Sequence, residues 1–207
     1  VLYYQLADKP VGASLIAHRE PGEDGAFMLL LSPTIGQGTG RIVERDVLPK
    51  DVVFCVDTSG SMLEGNKMEQ ARAALEYCVK HLRAGDRFNI VDFSTEARRF
   101  DEAGLVEVND RSRARALAYV GRLRARGGTA IQEALDTSLR QFADSDRLKM
   151  VLFATDGLPT IGERRPVELL KEMTRKNTRD VRMFVFGEGF DVNTRLLDKI
   201  AAQSHGA

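Results

Sequence analysis

Two carboxylates and two hydroxyls stand where the sequence pattern puts the ends of strands, and a third hydroxyl stands at the start of a helix. Val52-Val53-Phe54-Cys55-Val56 is an unbroken apolar run, and it leads directly into Asp57-Thr58-Ser59-Gly60-Ser61. Asp57, Ser59 and Ser61 are spaced two apart and offer one carboxylate and two hydroxyl oxygens. Thr129 follows the pair Gly127-Gly128, and Asp156 follows a second apolar run, Met150 to Ala154. All five residues are oxygen donors, the ligands that a hard cation such as Mg²⁺ or Mn²⁺ prefers, with Ca²⁺ left open. The hydroxyls are neutral. A cation held by only two carboxylates stays electrophilic, with positions left for water and for a partner's oxygen.

Each residue also has a plainer reading. Ser and Asp after a strand cap helices or make turns. Thr129 with Gln132 three later is a capping-box pattern, and Asp156-Gly157 is a common turn dipeptide. It is the joint occurrence, in three segments that one sheet edge can bring together, that favours a cation.

Enzyme readings of the same loop fit poorly. Gly60 and Gly65 bracket a stretch like a phosphate loop, but Lys67 arrives one residue late and Met68 stands where Ser or Thr is needed. A phosphoaspartate hydrolase wants an acid at Ser59. A serine hydrolase wants Gly-x-Ser-x-Gly and a histidine base. His18, His81 and His205 are scattered, none in these loops, so neither a zinc site nor a base for metal-assisted hydrolysis is indicated. Glu64 and Glu188 are acids that could approach the ion as a base, but nothing in the sequence places either there.

The elements that must hold this constellation alternate along the chain from Asp51 onward. Val52–Val56, Phe88–Phe93, Met150–Ala154 and Val181–Phe186 read as strands, the first as a strand buried on both faces. Lys67–Leu82, Arg111–Leu123, Thr129–Phe142, Val167–Met173 and Asp191–Ala202 read as helices. Asn66 with Glu69 reads as a cap for the first helix and Gly85 as its stop. Asp101–Val108 holds short extended pieces. The pattern predicts an α/β, Rossmann-like fold: a mostly parallel central sheet with helices on both faces, whose ligands sit at the carboxyl edge. Residues 1–49 differ. Val1–Leu6, Val11–His18 and Ala26–Leu31 are strand-like, the last two predicted to form a hairpin across the turn-rich stretch 20–25, and Ser32–Gly40 reads as a loop.

The bulk numbers exclude several classes. In 207 residues, 30 basic and 30 acidic side chains cancel, so no global field draws the chain to nucleic acid or to a membrane surface. No apolar run in residues 1–49 is long enough to span a bilayer. The chain opens at Val1 without a Met and reads as a fragment. Cys55 and Cys78 read as buried thiols, with a pairing left open. Arg111, Arg115, Arg122 and Arg126 fall on one side of a helix, within about 60° at 3.6 residues per turn. They form either a solvated face or a stripe for an anionic partner.

Asp57-Thr58-Ser59-Gly60-Ser61 resembles the Asp-x-Ser-x-Ser signature of von Willebrand factor type A domains, and Gly127-Gly128-Thr129 and Thr155-Asp156-Gly157 match the family's distant Thr and Asp in order. The resemblance runs from Asp51 to the end of the chain. It implies a metal-ion-dependent adhesion site with Asp57, Ser59, Ser61, Thr129 and Asp156 as ligands, some through water. It implies no catalysis: the expected role is cation-dependent binding of a protein or polysaccharide that carries an acidic group. A softer likeness, on Val1-Leu2-Tyr3-Tyr4 and Gly22-Glu23-Asp24-Gly25, is to the stretch joining a VIT domain to a type A domain in inter-alpha-trypsin inhibitor heavy chains. It implies that residues 1–49 are the tail of a VIT-like domain and 50–207 a type A domain lacking its last strand and helix. A secreted, cell-surface or periplasmic setting is expected. An intracellular scaffold for complex assembly is the alternative.

Overall fold

The computed structural model describes residues 11–18, 26–33, 48–187 and 194–207. The chain divides into two compact units, Val1–Leu48 and Pro49–Ala207. In the first, β1 (Val11–His18) and β2 (Ala26–Pro33) pair antiparallel, Val11 opposite Pro33 and His18 opposite Ala26. This is the expected hairpin. The expected strand Val1–Leu6 and the connecting turn lie outside the described residues.

The second unit is built on β3 (Lys50–Asp57), β4 (Arg87–Phe93), β7 (Leu148–Thr155) and β8 (Arg182–Gly187). Each pairs parallel with its neighbour. Two short strands, β5 (Ala97–Arg99) and β6 (Val106–Glu107), pair antiparallel with β4, so the sheet is mixed but mostly parallel. Its order is β5-β4-β3-β7-β8. The helices are α1 (Lys67–His81), α2 (Asp110–Val120), α3 (Ile131–Leu139), α4 (Pro166–Lys176) and α5 (Thr194–Gln203).

The apolar run of β3 is unbroken because both of its faces are covered. Val52, Phe54 and Val56 pack with Met68, Ala71, Leu75 and Val79 of α1 and Ala116 and Val120 of α2. Val53 and Cys55 pack with Ile131 and Leu135 of α3 and Leu169 of α4. This alternation separates the two cysteines: Cys55 faces α3, Cys78 joins the cluster on the opposite face, and both are free thiols.

Several element ends differ from the sequence reading. Asn66 does not cap α1 with its side chain; it adopts φ 61°. α2 stops at Val120, short of the expected Leu123, and begins with a capping box of Asn109 and Ser112. Arg122 and Arg126 therefore leave the predicted helical stripe. α3 starts at Ile131 behind Ala130, and the Thr129–Gln132 capping box does not form. Gln132 Oε1 accepts from the Glu163 amide instead, at 3.2 Å.

The amino-terminal edge of the sheet is locked by one buried acid. Asp51 is fully buried at the start of β3. Arg87 donates to both of its oxygens, at 2.9 and 2.6 Å, and Arg147 donates to Oδ1 at 2.6 Å. Burial alone would raise the Asp51 pKa, but the two arginines outweigh it and hold the carboxyl below its ordinary value. A depressed folded value contributes stability above about pH 4, and that stability is lost as pH falls through the folded pKa. Asp51→Asn should therefore destabilise the fold by about 2 kcal/mol at neutral pH, less than a fully buried pair because both arginines are partly exposed. Urea denaturation checks it: the gap from wild type should narrow below about pH 4.

Candidate metal centre

The strand order reverses direction at β3. From it the chain crosses to β4 on one side and later adds β7 and β8 on the other. The crevice at such a reversal, outside the carboxyl ends of the strands, is where open α/β sheets hold ligands. Asp57 is the last residue of β3 and Asp156 follows Thr155, the last residue of β7. The two acids therefore meet at one edge although 99 positions separate them in sequence. Thr58 ties the ends of β3 and β4 together: its amide donates to Phe93 O at 2.7 Å and its hydroxyl to the same oxygen at 3.0 Å. Beyond it the chain turns into a short 3₁₀ segment, Gly60–Asn66, which leads into α1.

Four of the five predicted residues form one hydrogen-bonded chain. The Ser59 amide donates to Asp57 Oδ1 at 2.7 Å. Ser59 Oγ and Ser61 Oγ lie 3.0 Å apart, and the Ser61 hydroxyl donates to Asp156 Oδ1 at 2.7 Å. The Thr155 hydroxyl donates to Asp57 Oδ2 at 2.6 Å. Both Asp57 oxygens thus already accept one bond from the protein, so Asp57 acts in part by orienting its neighbours. Asp57, Ser59 and Asp156 are buried, whereas Ser61 is exposed.

Thr129, the fifth, reaches this edge by its backbone. Its amide donates to Thr160 Oγ1 at 2.8 Å, and its carbonyl accepts from the amides of Thr160 and Ile161. Among the described residues no hydrogen bond joins the Thr129 hydroxyl to the four-residue chain. The loop before it is stitched to the Asp57 loop by Gly60 N to Gly127 O (3.0 Å) and Arg126 N to Thr58 O (2.7 Å). Gly127 sits at φ 75°, and a Cβ there would come within 2.5 Å of Thr95 Oγ1. Glycine is needed for both reasons.

A cation is already present in the chain itself. Lys67 Nζ lies 2.8 Å from Asp156 Oδ2, and the carboxylate is wholly buried. In the sequence Lys67 stands out only as a misplaced phosphate-loop lysine. Its role at the acid, and those of Thr155 and Thr160, had no signal beyond their place beside the motif residues. Burial raises the Asp57 pKa from its ordinary 3.8 to about 6, against the hydrogen bonds from Thr155 and Ser59 and with help from the nearby Asp156 charge.

The donors fit a hard divalent cation. The set is two carboxylates and neutral hydroxyls, oxygen throughout, with one positive side chain paired to Asp156. Among the described residues no group of three or more His, Cys, Asp or Glu is assembled as a metal cage. Any ion here would rest on hydroxyls as much as on charge.

The model of the von Willebrand factor type A domain family matches residues 50–207. Among curated proteins, mouse inter alpha-trypsin inhibitor heavy chain 4 is 35% identical over 167 residues, which is 77% of this chain and 18% of that protein. The chain thus spans about a fifth of this relative's length. Among solved structures, a von Willebrand factor type A protein from Catenulispora acidiphila aligns over 100% of this chain and 47% of its own, with TM-score 0.74 and 24% identity. Proximal thread matrix protein 1 of the mussel byssus, with a zinc-occupied MIDAS motif, aligns over 74% of this chain and 39% of its own, with TM-score 0.61 and 21% identity. At these identities the structural likeness concerns the fold.

A buried acid with a raised folded pKa destabilises the cation-free protein at neutral pH. The stability it allows is present below about pH 4 and is lost as pH rises through about 6. Asp57→Asn should therefore stabilise the chelator-treated protein by about 1–3 kcal/mol at pH 7.5, and by nothing below about pH 4. Chemical denaturation in EDTA at the two pH values measures it. An unchanged or lowered stability at pH 7.5 contradicts it.

Proposed function

This chain belongs to the von Willebrand factor type A domain family, and from that premise we propose that it is a divalent-cation-dependent binding module. A Mg²⁺ or Mn²⁺ ion on Asp57, Ser59, Ser61, Thr129 and Asp156 would supply an open coordination position for an acidic group of a partner protein or polysaccharide. The observation that carries this reading is the chain Ser59–Ser61–Asp156–Lys67: oxygen donors linked in one run whose last carboxylate is paired with a positive charge. The ammonium offsets the buried Asp156 charge while no divalent ion is bound. Binding would move it aside, so Lys67 sets the affinity as well as the resting state.

The role is recognition, without catalysis. The hydrogen-bonded chain at the sheet edge contains no histidine or cysteine that could act as base or nucleophile. Likeness to the inhibitor heavy chains supports reading residues 1–49 as the end of a VIT-like domain and 50–207 as the type A domain, in a secreted, cell-surface or periplasmic protein. Among the described residues no helix is long and apolar enough to cross a membrane.

Calorimetric titration of the chelator-stripped protein with Mg²⁺ and Mn²⁺ tests the reading. Wild type should bind one ion, and Asp156→Ala should bind none while staying folded. Lys67→Gln should bind several-fold more tightly, since a competing positive charge is gone, and its cation-free form should melt at a lower temperature. Absence of saturable binding in a folded wild type would refute the proposal.

A further inference from the structure

A cleft of about 340 Å³ opens next to the metal edge, between the end of β4 and the turn that follows α2. Four guanidinium groups line it, from Arg98 of β5 and from Arg122, Arg124 and Arg126 beyond α2. The one carboxylate on its wall, Asp92, accepts a short hydrogen bond from the Tyr119 hydroxyl. Four arginines against Asp92 and the nearby Glu96, both of which feel the Arg126 charge, leave this concavity net positive on a chain whose charges cancel overall.

The arginines differ in how they are held. Arg98 pairs with Glu96 at 2.5 Å. Arg122 donates to Ala118 O at 3.1 Å, and Arg124 to Gly121 O and Leu123 O at 3.0 and 2.8 Å. These bonds hold the two guanidinium groups near the end of α2 and leave most of the five donors on each unused. The Arg126 guanidinium makes no hydrogen bond or ion pair with any described residue. Its backbone is nevertheless fixed, because its amide donates to Thr58 O. Thr58 also lines the cleft and directly follows Asp57. The cleft and the metal edge therefore share a wall.

We propose that this arginine cleft is a second acidic-group site, which takes a carboxylate side chain of the same polypeptide partner whose other acid engages the metal edge. This rests on the binding reading above. Guanidinium groups match carboxylates in planar, bidentate geometry. Tyr119 and Leu123 give the cleft an apolar flank against which the methylenes of a glutamate can lie. An extended peptide presents side chains to one face at every second residue, which suits two adjoining acid sites. The expected partner segment is acidic, with at least two carboxylates close together.

The test uses a fluorescently labelled tetraglutamate peptide and, as comparator, a heparin-derived tetrasaccharide, each in Mg²⁺ and in EDTA. The proteins are wild type, Arg122→Gln/Arg126→Gln and Asp156→Ala. The double variant should bind the peptide about tenfold more weakly in both conditions, and wild-type binding should weaken as salt is raised. Arg126→Gln alone should weaken it less, and it keeps the test valid if the double variant is unstable. In Asp156→Ala binding should lose its Mg²⁺ dependence but keep its arginine dependence. Arginine-dependent binding that is indifferent to Mg²⁺ in wild type would sink the metal reading and support the cleft. The cleft proposal is overturned if the arginine variants bind the peptide like wild type, if no protein binds the peptide, or if the arginines serve the tetrasaccharide and not the peptide.

Discussion

Asp57 is a buried carboxylate at the end of the strand on which both faces of the sheet are packed. It cannot leave that position, because β3 is flanked by β4 and β7 and covered by α1 and α2 on one face and α3 and α4 on the other. Its charge has to be met locally. The protein meets it with the Ser59 amide and the Thr155 hydroxyl, and meets the neighbouring Asp156 with Ser61 and Lys67. The loops at this edge take their shapes from those demands. Thr58 closes β3 onto β4, Gly60 and Arg126 tie in the glycine loop, and Gly127 supplies the left-handed turn that brings Thr129 to the edge.

The two ends of β3 solve opposite problems with the same residue type. At its start, Asp51 is buried against two arginines and its carboxyl is held in the charged state. At its end, Asp57 is met by hydrogen bonds from Ser59 and Thr155, and burial together with the Asp156 charge disfavours its charged state. The first arrangement is complete in itself and serves the fold. The second is left short of positive charge, and that shortfall is what the proposed divalent ion would meet. Lys67 fills part of that shortfall from outside the motif.

Most of the fold could be read from the chain because its causes are local. The unbroken run Val52–Val56 reports burial on both faces, and the spacing of Met68, Ala71, Leu75 and Val79 reports the buried side of α1. The site residues were legible for a related reason: a polar cluster just after an apolar strand is forced to the sheet edge. What could not be read depends on contacts distant in sequence. Lys67 meets Asp156 across 89 positions, and Gln132 leaves its expected cap to bond Glu163 across 31. The four arginines do not share one helical face, because α2 ends at Val120 and the segment leading to Gly127 bonds Thr58 O through the Arg126 amide. That turn converts a helical face into the wall of a cleft.

Anomalous diffraction from crystals grown in Mn²⁺ tests the central claim most directly. The account predicts one strong peak within bonding distance of Ser59 Oγ, Ser61 Oγ and an Asp156 oxygen, with the Lys67 ammonium displaced from Asp156. A peak elsewhere, or none at this edge with Lys67 still on Asp156 in saturating Mn²⁺, would contradict it.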